Sequence, residues 1–241
     1  MMLYCINLEH SIDRRSRMQG EFGREGLGFE FLPAIDGRVL AQLKIKTAYS
    51  KWRTRFCYGR GLSRGEIGCA LSHIEFYKRV IANNAPGFVF EDDVELGAEV
   101  KDVLEQVDSF LANTNEPCLV QVPGLMRDMP QNSEGDFVKV SGAMGTYAYG
   151  VNPSAAALLL KAFSPIKFPI DYYGYLIKHY GLNFYVYNGM PISVDMVSES
   201  TVGTDRFKVD VVVRNVIGLI FYKLWRLFGK SIDVLLRMIS K

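Results

Sequence analysis

The sequence predicts an α/β fold: one domain over residues 1–205 around a mostly parallel central sheet, followed by a basic amphipathic helical tail over 206–241. Three observations predict it. Strand-like and helix-like stretches alternate through the first half, as they do where helices carry the chain between parallel strands. An apolar stretch, Phe88-Val89-Phe90, runs straight into Glu91-Asp92-Asp93, and parallel sheets bind ligands at the carboxyl ends of their strands. Charge is also divided unevenly. Residues 206–241 hold eight Lys/Arg against Asp210 and Asp233, a net +6, so the rest of the chain carries −4 within a total of +2.

In order, residues 3–8 read as a first strand and 11–26 as a polar helix. Residues 29–35 form a second strand, ended by the turn pair Asp36-Gly37. Residues 41–62 are irregular and basic (Lys44, Lys46, Lys51, Arg53, Arg55, Arg60) and read as a long loop with one short helix. Ser63-Arg64-Gly65-Glu66 is a capping box that opens a helix to about residue 83. Residues 88–90 are a short buried strand. A helix over 102–112, strands over 118–122, 138–141 and 147–151, a proline-started helix over 153–163, a helix over 170–180 and a strand over 184–187 complete the domain.

Composition excludes several classes. With 49% hydrophobic and 22% charged residues the chain is neither disordered nor low in core material. Cys5, Cys57, Cys69 and Cys118 show no CxxC spacing, which excludes a zinc ribbon or thioredoxin-type site, and they read as reduced, mostly buried thiols. The N-terminus lacks the basic-then-apolar order of a signal peptide, so the protein is expected to stay in the cytoplasm. The longest uncharged run of the tail, 215–222, is far short of the ~20 residues a membrane span needs. A helical projection puts Lys223, Arg226, Lys230 and Arg237 on one side and Phe221, Trp225, Phe228 and Leu235 on the other. That pattern suits an anionic membrane surface; the plainer reading is a terminal helix packed on the domain with its basic face in water.

The acidic triplet is the most informative stretch. Three adjacent carboxylates repel unless a cation sits among them, and a hard Mg²⁺ or Mn²⁺ suits oxygen donors better than Zn²⁺ does. The plainer reading is a solvated acidic loop. Strand alternation puts Glu91 and Asp93 on one side, with Asp93 as direct ligand and Asp92 free to be structural. His73 lies mid-helix, where a histidine serves either as a packed core residue or as a site residue.

Four ordered blocks over residues 2–95 carry a resemblance: Ile6-Asn7-Leu8 with Asp13-Arg14-Arg15, Ala34-Ile35-Asp36-Gly37, residues 62–73 through Cys69-Ala70-Leu71-Ser72-His73, and Phe90-Glu91-Asp92-Asp93. Together they resemble glycosyltransferase family 25, the lipooligosaccharide galactosyltransferases and the related collagen galactosyltransferase domains. Gly145-Thr146-Tyr147-Ala148-Tyr149 and Phe168-Pro169-Ile170-Asp171 match more loosely, and Ser198-Glu199-Ser200-Thr201 stands where the family has a Ser-Asp-Ile-like segment. The resemblance implies a GT-A-like fold, a UDP-sugar donor, a Mn²⁺- or Mg²⁺-bridged pyrophosphate and inversion at the anomeric carbon. It implies metal ligation by Asp93 and Glu91, and donor binding by Asn7, Leu8, Arg14 (or Arg15), Glu91 and Asp92. It makes Asp171 the catalytic base, with Asp195 and Glu199 behind it; Asp171 also reads as an ordinary helix N-cap.

The reading that follows is transfer of galactose from UDP-galactose onto a lipid-linked oligosaccharide. The enzyme would be peripheral on the cytoplasmic face of the inner membrane, with no nucleic-acid partner. A Mg²⁺-dependent phosphohydrolase using the same acids, and a non-catalytic membrane-associated binding module, are the alternatives.

Overall fold

A computed structural model describes residues 1–122, 135–142 and 145–194. The chain order is β1 (Met2–Asn7), α1 (Ile12–Arg24), β2 (Glu30–Pro33), α2 (Gln42–Ala48), α3 (Lys51–Tyr58), α4 (Arg64–Asn83), β3 (Gly87–Glu91), β4 (Val94–Leu96), α5 (Val100–Ala112), β5 (Cys118–Gln121), β6 (Phe137–Lys139), β7 (Ala148–Val151), α6 (Pro153–Ala162), α7 (Tyr173–Tyr180), β8 (Asn183–Tyr187) and β9 (Ile192–Val194).

Seven strands form one sheet in the order β2-β1-β3-β7-β5-β8-β6. β1 pairs parallel with both β2 and β3, and β5 parallel with β8. β7 runs antiparallel between β3 and β5, and β6 antiparallel on β8. The described fold is therefore mixed α/β with a mainly parallel central sheet.

Strand alternation divides the core in two. Tyr4, Ile6, Val89 and Leu119 point to one face, where they pack with α4, α6 and α7. Leu3, Cys5, Phe88, Phe90, Cys118 and Val120 point to the other, against Met18 and Phe22 of α1 and Val103, Leu104 and Val107 of α5. Both faces being covered explains why these strands read as continuous apolar runs rather than as alternating ones. The thiols of Cys5, Cys57 and Cys118 are buried and all four cysteines are free.

The starts of α4 and α6 follow the expected chemistry. Ser63 Oγ accepts from the Glu66 N–H, and the Glu66 carboxylate accepts from the Ser63 N–H, so the capping box is complete. Asn152 caps α6 ahead of Pro153.

The structure corrects four boundaries. Residues 41–62 hold two helices, α2 and α3, not one. No residue of α2 is buried, so its helix leaves almost no hydrophobic periodicity to read. The helix expected over 170–180 begins at Tyr173, because Pro169 to Tyr172 form a turn closed by the Tyr172 N–H on the Pro169 carbonyl. The strand expected over 138–141 is Phe137–Lys139. Finally, β3 ends at Glu91, and Asp92-Asp93 form the turn into the unforeseen strand β4, which pairs with β9. Alternation along a strand therefore does not set the sides of Asp92 and Asp93. The tail over 206–241 lies outside the described residues, as do Asp195 and Glu199.

Candidate active site

The carboxyl ends of β1 and β3 lie side by side, with Ile6 in register with Glu91. A cleft opens there, lined among others by Leu8, Arg14, Asp36, Gly37, His73 and the three acids Glu91, Asp92 and Asp93. Its far wall is the Asp36-Gly37 turn seated on the first turns of α4. That contact admits no side chain on either partner. A Cβ on Gly68 would lie 2.4 Å from the Ile35 carbonyl oxygen and 2.5 Å from the Gly37 nitrogen, and one on Gly37 would lie 1.7 Å from the Arg64 oxygen. Ser72 reinforces it, accepting from the Ile35 N–H at 2.8 Å and donating to the Gly68 carbonyl at 2.9 Å.

The three acids sit in three different environments. Asp92 is buried and fully engaged: Asn7 Nδ2 donates to it at 2.7 Å, Arg14 Nη1 at 2.8 Å, and Arg17 Nη2 donates to its backbone oxygen at 2.8 Å. These bonds tie β1, α1 and the β3–β4 turn together. Glu91 accepts a short hydrogen bond from Thr146 Oγ1, and its Oε1 lies 3.6 Å from His73 Nε2. Burial pushes its carboxyl up, but the His73 and Thr146 contacts and the Arg14 charge outweigh that and hold it below the usual carboxylate range. Asp93 is the reverse. Burial, then the charges of Glu91 and Asp92, raise its carboxyl to about 6, and its buried Oδ1 has no hydrogen-bond partner.

Asp171 enters from the turn before α7. Its Oδ2 accepts from the Gly145 N–H at 3.3 Å, and no side chain caps α7, so it is not a helix cap. Burial raises its carboxyl, and the charges of Glu91 and Glu66 act in the same direction.

His73 is both core and site. It is 1% exposed, its Nδ1 bonds Tyr149 Oη at 2.7 Å, and Tyr149 donates onward to Tyr77 at 3.0 Å. Cys69, one helical turn earlier, lines the same cleft.

The structure thus brings Leu8, Arg14, Glu91, Asp92 and Asp93 to one cleft, with Asp171 close enough to feel the Glu91 charge. Two residues stand elsewhere. Asn7 is completely buried with its amide committed to Asp92, and the Arg15 guanidinium lies over the Phe31 ring at 4.0 Å. Residue-by-residue reading assigned no role to Thr146, Gly145, Arg17 or Tyr149. The Cys69–His73 spacing, one turn on a helix, is the one signal in the sequence that could have marked a pair, and it was not read as one.

Residues 1–174 match the family described as Glycosyltransferase family 25 (LPS biosynthesis protein). Over 109 residues the chain is 36% identical to a glycosyltransferase 25 family member of Aedes aegypti, covering 44% of this chain and 18% of that one. Over 103 residues it is 37% identical to a Haemophilus influenzae protein named provisionally as a glycosyltransferase, covering 42% and 36%. Over 96 residues it is 34% identical to procollagen galactosyltransferase 1-A of Xenopus laevis, covering 38% and 16%. The matched segments thus span well under half the length of these relatives. A glycosyltransferase involved in glycosylating the major capsid of PBCV-1 aligns over 78% of this chain and 82% of its own, at a TM-score of 0.41 and 10% identity. With the family match running from residue 1 to residue 174, the chain belongs to glycosyltransferase family 25.

Proposed function

We propose that the protein is a metal-dependent, inverting glycosyltransferase of GT-A-like fold. It moves galactose from UDP-galactose onto a lipid-linked oligosaccharide of the lipopolysaccharide core. One observation carries the reading: the buried, unpartnered Oδ1 of Asp93 in a cleft that already holds two other carboxylates. Unpaired buried oxygen and excess negative charge together favour a hard divalent cation, so Mn²⁺ or Mg²⁺ fits this donor set. Asp93 and Glu91 would hold it. A cation bound there supplies Lewis-acid stabilisation of the charge that builds on a departing diphosphate.

The remaining steps belong to the chain's own groups. Asp92 does not reach the donor itself; it holds Arg14 at the cleft wall, where the guanidinium favours phosphate oxygens. Asp171 takes the proton of the acceptor hydroxyl, whose oxygen attacks the anomeric carbon as the bond to the diphosphate breaks. A carboxyl raised by burial is the better base for this task. On the acceptor side, no acidic residue occurs between Gly37 and Gly65, and Lys44, Lys46, Lys51 and Arg55 are exposed beside Leu43 and Trp52. Such a surface suits an anionic acceptor or bilayer. The +6 tail over 206–241 is proposed to act with it at the cytoplasmic membrane face. Galactose as donor sugar and the lipopolysaccharide acceptor draw support from the name of the Xenopus relative and from the family description.

A donor screen tests the proposal. Full-length protein with Mn²⁺ is offered UDP-galactose, UDP-glucose, UDP-GlcNAc and UDP-GalNAc, and UDP release is followed with and without truncated lipooligosaccharide. Acceptor-stimulated release from UDP-galactose alone is the expected result. Release of inorganic phosphate without acceptor would replace it with phosphohydrolase chemistry.

A further inference from the structure

Beside the acidic triplet lies a second donor set with different chemistry. Cys69 Sγ, a ring nitrogen of His73 and a Glu91 carboxylate oxygen all lie within 4.8 Å of one another. Cys69 and His73 are i and i+4 on α4, so they face the same way, and Glu91 ends the neighbouring strand β3.

The hydrogen bonding of His73 defines which nitrogen is available. Nδ1 is engaged by the Tyr149 hydroxyl, which is itself bonded to the Tyr77 hydroxyl. Nε2 is buried and has no hydrogen-bond partner, although it points at Glu91. The 3.6 Å between Nε2 and Oε1 is too long for a hydrogen bond. It is close to the ~3.3 Å separating two ligands, each about 2.0–2.1 Å from one tetrahedral ion. A cation between them would engage both the unpartnered Nε2 and the Glu91 carboxylate.

The outer contacts have the form seen around metal-bound histidines and carboxylates: Tyr149 orients the imidazole and Thr146 holds the carboxylate. The donor set of one sulfur, one nitrogen and one oxygen is wrong for Mg²⁺ and right for a borderline ion. Three protein ligands leave a fourth position open toward the cleft, which Cys69, His73 and Glu91 all line.

We propose that Cys69, His73 and Glu91 form a binding site for a zinc-class divalent ion, separate from the hard-cation site at Asp93 and sharing Glu91 with it. The site itself stands on the geometry. Only one corollary rests on the glycosyltransferase reading: a zinc ion here takes Glu91 from the hard cation and so inhibits transfer.

The test uses the chelator-stripped full chain and Co²⁺ as a spectroscopic probe. Wild type should bind one Co²⁺ with a thiolate-to-cobalt charge-transfer band, displaced by one equivalent of Zn²⁺ and unmoved by millimolar Mg²⁺. Cys69→Ser should lose the band, while Cys57→Ser, altered at a buried thiol outside the cluster, should keep it. His73→Gln and Tyr149→Phe should weaken Zn²⁺ binding, the latter by about 10–100-fold through the lost orienting bond. Should a variant fail to fold, wild type alone still decides: one equivalent of Zn²⁺ should protect Cys69 from alkylation, read by peptide mass. Absence of the band from folded wild type, its persistence in Cys69→Ser, or alkylation of Cys69 unaffected by Zn²⁺ would overturn the site. None of these readouts needs sugar transfer, so a failed donor screen leaves them intact, and a failed metal titration leaves the donor screen intact.

Discussion

Asp92 and Asp93 are neighbours in opposite environments, and the difference is readable in their partners. Asp92 accepts from Asn7 and Arg14 inside the protein. Asp92→Ala removes the carboxylate that both donors share, and breaking a buried charge pair costs about 3–5 kcal/mol. Urea unfolding should show that loss as a lower midpoint with an unchanged m-value. Asp93 has the reverse energetics. Its carboxyl titrates near 6 in the fold, above the ordinary value for an unfolded chain. The folded state therefore holds that proton more tightly, and ionising Asp93 weakens the fold as pH rises through 6. In metal-free protein, Asp93→Asn should raise Tm at pH 8, with the gain fading between pH 6 and pH 4. In wild type, Mn²⁺ affinity should fall as pH drops below 6, because proton and metal compete for one carboxylate. Transfer by Asp93→Asn should drop about 100-fold or more, the several kcal/mol a Lewis acid contributes at the transition state.

At the scale of elements, the seat of the Asp36-Gly37 turn on α4 is the tightest contact of the cleft. Gly68→Ala places a methyl against the Ile35 carbonyl, an overpacking change costing about 1–3 kcal/mol. Thermal melts and the KM for donor should both register it. The α2–α3 segment gives a different prediction. Lys44→Glu/Lys46→Glu/Lys51→Glu should raise KM for an anionic lipid-linked acceptor while leaving kcat near wild type. It should also flatten the salt dependence of acceptor binding. These two regions differ as well in how visible they were in sequence. The α4 start was legible because the capping box is local chemistry between Ser63 and Glu66. Strand β3 was legible because Phe88 to Phe90 are all buried. By contrast α2 buries nothing, so no periodicity marked it. The acid triplet was legible as a cluster of carboxylates at a strand end, but the separate environments of its members were not. Those environments depend on Thr146, Arg14 and Asn7, which reach the triplet from 55, 78 and 85 residues away.

At the scale of the whole molecule, one sheet serves two cores, since alternate residues of every central strand feed opposite faces. The two faces therefore stand or fall together. Leu159→Ala on the α6 side and Val107→Ala on the α5 side should each lower a single shared midpoint, followed equally by near- and far-ultraviolet circular dichroism. Separate transitions would show that the sheet does not couple them. The antiparallel position of β7 has a consequence in time. Strands β1, β2 and β3 and the acids at their ends come from the first 93 residues, whereas Thr146 and Gly145 arrive only as β7 slots in beside β3. At a synthesis rate of about 5–20 residues per second, Glu91 precedes its Thr146 partner by roughly 3–11 s. A nascent chain therefore carries Glu91 for seconds without the hydroxyl that will hold it, whereas the Asn7 and Arg14 donors of Asp92 are already made. During that interval Arg14 and Arg17, made long before the triplet, are the counter-charges the ribosome-bound half-sheet has at hand.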